Sequence, residues 1–139
     1  MSKIDNGGIG NPIAADVVSH GLLSAPGGAT VGPSGLPYRG DGIVVALPEY
    51  ATMITVLNID TVNTWVRAVA PHVTGPHNRP RWFGSWQSDG VIYLDVVETF
   101  TRDDYDDAVR AGRERNQIAI WDAGRQEEIP TDGDGRVSD

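Results

Sequence analysis

From position 42 onward the apolar residues fall into short runs whose spacing alternates between a strand-like period of about 2 and a helical period of about 3.6. Residues 43–47 are continuously apolar and end at Pro48, and residues 52–57 are rich in β-branched side chains. Both read as strands, joined as a hairpin around Pro48, Glu49 and Tyr50. Asp60 follows in an N-cap position. Val62, Trp65, Val66 and Val69 then recur at i, i+3, i+4 and i+7, which predicts a helix with one buried stripe. Pro71 should end it, because the residue before a proline avoids the α region. Residues 71–80, with three prolines and a glycine, read as a loop.

Residues 81–87 and 91–100 give the clearest strands. Asp89-Gly90 between them fits a type I′ turn, whose positive φ angles glycine tolerates without strain. A two-residue loop fixes the register: Ser88 opposite Val91, Trp86 opposite Tyr93, Trp82 opposite Val97. Alternation sends Phe83, Ile92, Leu94 and Val96 to a face that helices should cover, and Trp82, Trp86, Tyr93 and Val97 to the other.

A second helix is predicted over 102–115, with Thr101 as N-cap. Asp103, Asp104, Asp106 and Asp107 crowd its start, and Arg110, Arg113 and Arg115 its end, an order that complements the helix macrodipole. Its buried stripe is Tyr105, Ala108, Val109 and Gly112. Gly112 admits a close approach to the sheet, and Asn116 suits a left-handed C′ position. Residues 117–121 form a last strand with Ile118 and Ile120 on one face, and 128–129 add a short edge segment. The fold class is α+β. Setting the first strand aside leaves βαββαβ, a ferredoxin-like sheet with an extra N-terminal strand.

Residues 1–42 break this periodicity. They hold ten of the 17 glycines and four of the nine prolines, and so predict an extended Gly/Pro-rich arm, flexible or bound to a partner. One short helix fits around 14–23, where Val17, Val18 and Leu22 share a face. The expected division is an arm over 1–42, an α+β domain over 43–133 and a polar tail over 134–139.

Composition narrows the function classes. The chain has 139 residues and a net charge of −8, with 11 basic residues of which Lys3 is the only lysine. No basic cluster offers a footprint for phosphate backbones, so nucleic acid is an unfavoured partner. Absence of cysteine excludes disulfides, thiolate metal sites and cysteine nucleophiles. No apolar run approaches the roughly 20 residues of a membrane span, and the N-terminus does not read as a secretory signal.

No catalytic motif appears. The 103–107 acidic run fans around a helix and lacks the glycine and terminal glutamate of a calcium loop. His20, His72 and His77 lie in loops or the arm, outside any zinc-binding spacing. Gly7-Gly8-Ile9-Gly10 lacks the strand and helix that a dinucleotide fingerprint requires. Neither cofactor nor metal is expected. Asp95 differs from these. It sits mid-strand between Tyr93 and Val97 on the tryptophan face, where a carboxylate needs a partner or open solvent, and Arg81 or an indole N–H would serve. The candidate binding residues are therefore Trp82, Trp86, Tyr93, Asp95 and Val97. Their cover is the arm, another part of the chain, a second subunit or a protein partner.

The stretches Trp86-Gln87-Ser88-Asp89-Gly90-Val91-Ile92-Tyr93-Leu94-Asp95-Val96 and Ala111-Gly112-Arg113-Glu114-Arg115-Asn116-Gln117-Ile118-Ala119-Ile120-Trp121-Asp122 resemble a module of small, uncharacterised proteins of actinobacterial phages and mobile elements. The resemblance spans roughly residues 82–133. It implies a viral or mobile-element setting, in the host cytoplasm or the virion, and transfers no site. The expected function is non-enzymatic binding of a host or viral protein, an inhibitor of host defence being one version. The alternative is a virion or assembly component whose arm contacts neighbouring subunits.

Overall fold

The computed structural model describes residues 14–24 and 27–134. The expectations for residues 1–13 and for most of the polar tail, 135–139, lie outside the described residues. The elements are α1 (Ala15–Leu22), β1 (Gly28–Val31), β2 (Ile43–Ile54), α2 (Ile59–Val73), β3 (Arg81–Ser88), β4 (Val91–Phe100), a 3-10 turn (Arg102–Asp104), α3 (Tyr105–Glu114), β5 (Ala119–Asp122) and β6 (Glu127–Pro130). The six strands form one antiparallel sheet in the order β1-β3-β4-β2-β5-β6. The mixed α+β class agrees with the sequence reading.

The expected hairpin around Pro48 does not form. Residues 43–54 are a single strand whose register against β4 shifts between Leu47 and Thr52. A proline has no N–H for the ladder, and a bulge is the position within a sheet that tolerates this loss. The irregular segment is held from the helix side. The Tyr50 carbonyl accepts a 3.0 Å hydrogen bond from Trp65 Nε1, and the Tyr50 ring stacks on His72 at 4.4 Å. The extra N-terminal strand expected at 43–47 is therefore the first half of β2. The additional strands are β1 and β6, at the two edges.

The chain over 14–42 also departs from an extended arm. In α1, Val18 and Leu22 are fully buried, while Val17 is half exposed. This helix packs on α2, where Ser19 Oγ donates to Asn63 Oδ1 (2.5 Å) and Asn63 Nδ2 donates to Asp16 Oδ1 (2.5 Å). Val31 of β1 lies in the same core. The glycine- and proline-rich spacing hid β1, since its Gly-Ala-Thr-Val sequence carries almost no strand signal of its own.

The three helices among the described residues lie on the sheet face bearing Phe83, Leu94, Val96, Val45 and Ile43. Helices α1 and α2 cover Leu47, Phe83, Ile92, Leu94 and Val96, and α3 covers Ile43, Val45, Phe100 and Ile120. Burying each such side chain contributes about 1.5–3 kcal/mol. A polar seam separates the two clusters. Glu98 accepts from Arg115 Nη2 at 2.5 Å, and Arg115 Nη1 donates to the Ala46 carbonyl at 3.2 Å. Arg79 lies 4.0 Å over the Phe100 ring.

Helix α2 begins at an Asn58 cap, whose side chain accepts from the Asp60 N–H, and runs through Pro71 to Val73, so both predicted ends moved. Asn116 adopts the left-handed conformation expected of it, with φ 55°. A Cβ built on Gly112 would stand 2.7 Å from Ile120 Cγ2, the close approach that this glycine permits. Thr101 precedes a 3-10 turn and makes no cap bond to the backbone. Ile118, expected inside a strand, precedes β5 and is exposed, whereas Ile120 is buried.

At one edge of the sheet, residues 32–38 fold back on β1: the Tyr38 N–H donates to the Thr30 carbonyl (2.8 Å) and Gly32 N–H to the Leu36 carbonyl (2.9 Å). At the other edge, β6 carries exposed Glu127 and Glu128 and ends in Pro130. Among the described residues no helix is long and apolar enough to cross a membrane.

Candidate functional site

The hairpin of β3 and β4 builds the sheet face opposite the helices. Asp89 (φ 53°) and Gly90 (φ 79°) form its tip, and both take the positive φ that a type I′ turn requires. The resulting register places Trp86 opposite Tyr93, Gly84 opposite Asp95 and Trp82 opposite Val97. Neighbouring strands extend these rows. Gly28 and Thr30 of β1 face Trp86 and Gly84, while Met53 of β2 faces Tyr93.

Trp86 and Tyr93 stack with ring centroids 4.4 Å apart and planes 13° from parallel. Trp86 remains 44% exposed and Met53 63%, a degree of solvent contact that large apolar side chains rarely keep side by side. Trp82 is partly covered. The Tyr38 ring meets it edge-on at 4.9 Å, and its Nε1 donates to Thr99 Oγ1 at 3.2 Å. Val97 lies beneath these rings and is buried, so it supports the face rather than offering a contact. The expected cover from residues 14–42 reduces to the Tyr38 ring and the backbone at Gly32, where a built Cβ would stand 3.3 Å from the Trp82 ring. Val18, Leu22 and Val31 go to the helical face instead, and Leu36 is exposed. Met53 was not among the sequence candidates, because its strand was read as part of a separate hairpin. The cluster on this face is therefore exposed Trp86 and Met53 with a partly exposed Tyr93 between them, beside a half-covered Trp82.

Asp95 lies inside this frame. Trp82 and Trp86 flank Gly84 on the facing strand, and Tyr93 and Val97 flank Asp95 on its own. On the far side β2 is at its bulge and presents no registered partner. Neither expected donor reaches the carboxylate. Arg81 belongs to the helical face and donates to the His72 carbonyl at 2.9 Å, and the Trp82 indole is engaged by Thr99. Among the described residues nothing hydrogen-bonds to Asp95. Burial pushes its carboxyl up from 3.8 to about 6.

Asp122 shows the opposite electrostatics. At the end of β5, it is buried to 1% and held by a two-pronged ion pair from Arg102, at 2.7 and 2.9 Å. Hydrogen bonding to Arg102 is the main reason its carboxyl is held well below the usual range, aided by the Arg125 N–H at 3.0 Å. Arg102 also donates to the Asp41 carbonyl (2.7 Å), which ties the chain entering β2 to the start of the α3 segment.

These two acids are not paired for chemistry, since Asp122 is already saturated by its cations. Of the acidic run, Asp107 pairs with Arg110 at 2.6 Å on the helix surface. His20 and His77 bond local carbonyls, and His72 stacks on Tyr50. No three His, Asp or Glu side chains among the described residues are gathered to hold a metal ion. No family model matches the chain, and no curated protein or solved structure matches it.

Proposed function

We propose that this chain is a non-enzymatic protein of a phage or mobile element that works by binding a host or viral protein through the outer face of its β3–β4 hairpin. One observation carries the reading: exposed Trp86 and Met53 stand on either side of a partly exposed Tyr93, stacked on Trp86, on a sheet face that no helix among the described residues covers. Rigid aromatics joined to an adaptable methionine are the composition of contact hot spots. We also read β2-α2-β3 and β4-α3-β5 as the split βαβ units of a ferredoxin-like core. In each, the two strands joined by a helix are separated by a strand of the other unit. That arrangement holds the outer face rigid, which lowers the ordering cost of docking.

A photo-crosslinking residue placed at position 53, compared with one at the exposed Arg67 of α2, tests the reading in lysates of infected and uninfected actinobacterial cells. A single protein captured from position 53, not from position 67, and lost on Trp86→Ala is the expected result. Capture that is equal from both positions, or unaffected by Trp86→Ala, would remove the hairpin face from consideration.

A further inference from the structure

The apolar surface does not stop at Met53. Past Ile54, the last residue of β2, the chain bends over 55–58 and enters α2 at Ile59. On this connection Val56 is 76% exposed and Leu57 63%, and Ile59 is exposed as well. Ile54 lies opposite Ile92, so the connection leaves the sheet at the end where Asp89 and Gly90 form the hairpin tip. Exposed Trp86 and Met53 thus continue into a ridge that rounds this end of the sheet. A row of large apolar side chains left in water marks a contact surface.

Charge at this end is of one sign. Asp60, in the first turn of α2, and Asp89 are both exposed, and neither has an ion pair among the described residues. The segments 40–66 and 82–101, which supply the whole ridge, contain no Lys, Arg or His. A second copy of this chain, with its net charge of −8, would set like charges against each other. An anionic lipid surface would meet the same repulsion. An apolar surface with a basic border would not.

We propose that the ridge docks a basic amphipathic segment of the protein partner. Its apolar side chains pack on Met53, Val56, Leu57 and Trp86, and its lysines or arginines lie against Asp60 and Asp89. This rests on the hairpin face being the docking surface and extends it around the end of the sheet. Apolar burial supplies the affinity, while the bordering carboxylates select the sign of the partner and speed its arrival.

The probes are three peptides of equal length. One has a leucine face bordered by lysine, the second has the same face bordered by glutamate, and the third is the lysine peptide scrambled to abolish the face. Each is titrated into the full chain while the Trp86 indole N–H resonance is followed by NMR. The lysine-bordered peptide is expected to shift it saturably and to bind about tenfold tighter than the other two. Replacing both exposed residues, Val56→Ser with Leu57→Ser, should weaken that binding about tenfold. Asp60→Asn with Asp89→Asn should weaken it severalfold and flatten its salt dependence; asparagine before Gly90 still suits a type I′ turn. Circular dichroism confirms that both variants fold. Equal binding of the lysine and glutamate peptides, equal binding of the scrambled peptide, undiminished binding to either variant, or no shift with any peptide would overturn the proposal. So would adsorption of the chain to phosphatidylcholine vesicles that is lost in the serine variant, which would assign the ridge to lipid.

Crosslinking from position 53 separates this from the docking surface itself. Partner capture lost in Trp86→Ala but retained in both double variants would leave the hairpin face standing and refute the basic segment. Capture retained in Trp86→Ala would refute the face.

Discussion

Replacing Asp95 with asparagine should stabilise the isolated protein at neutral pH. Asparagine keeps the shape and polarity of the protonated acid but can never charge. The wild-type carboxyl titrates near 3.8 when the chain is unfolded and about 6 when folded. At 1.36 kcal/mol for each tenfold change in proton affinity, that difference is worth about 3 kcal/mol, and water reaching the partly exposed side chain brings it to about 2–3 kcal/mol. The sign follows from proton counting. Between the two values the folded state holds the proton that the unfolded state has lost, so this group favours folding increasingly as pH falls. Its cost is fully present above the folded value and absent below the unfolded one. Urea unfolding of wild type and Asp95→Asn at a series of pH values from 8 to 4 is the assay. The variant should be more stable by about 2–3 kcal/mol at the alkaline end, with the gap closing through the interval from about 6 to 3.8. A variant no more stable than wild type at the alkaline end, or a gap independent of pH, would show that Asp95 is partnered or solvated and would refute the reasoning.

Asp122 should act in the opposite sense: its contribution is present above the ordinary carboxylate range and lost as pH falls below it, so Asp122→Asn should erase part of the wild-type acid transition while lowering stability at pH 7, as read by circular dichroism. Leu22→Ala should cost about 2–5 kcal/mol in urea unfolding, because α1 is core and not arm. Gly112→Ala would set a methyl 2.7 Å from Ile120 Cγ2 and should lower stability by about 1–3 kcal/mol, whereas alanine at the exposed helical Arg113 should change it by less than about 0.5 kcal/mol. Acrylamide should quench Trp86 fluorescence more than that of Trp65, which lies 9% exposed between α2 and Phe83; single-tryptophan variants measure this, and equal quenching would contradict the open face.

Features that depended on neighbours in sequence were legible. The Asp89-Gly90 turn needs only two residues with positive φ, and once it is fixed, pleat alternation dictates the Trp86–Tyr93 and Trp82–Val97 pairs. The left-handed Asn116 and the close approach at Gly112 were local in the same way. What depended on distant partners was not. Pro48 reads as a strand end unless β4 is known to continue past it, and the Gly-Ala-Thr-Val of β1 is a strand only because β3 offers it an edge. Arg102 lies 20 residues from Asp122, and no spacing rule joins them. At the site itself, the face of Asp95 was readable from alternation. Its lack of a partner was not, because that depended on which face Arg81 joined and on what the Trp82 indole met.

The two ends of the sheet limit how copies of this protein can join. Pairing strand to strand requires an outer strand with free N–H and C=O groups in sequence. On one side the 32–38 segment already occupies carbonyl and amide groups of the β1 stretch. On the other, adjacent glutamates repel a like copy, and Pro130 has no N–H to give. Growth into ribbons or fibrils by continuing the sheet is thereby blocked at both margins. Among the described residues this leaves the broad surfaces for any higher assembly, and a crowded preparation should stay free of thioflavin-positive material even while the aromatic side remains bare.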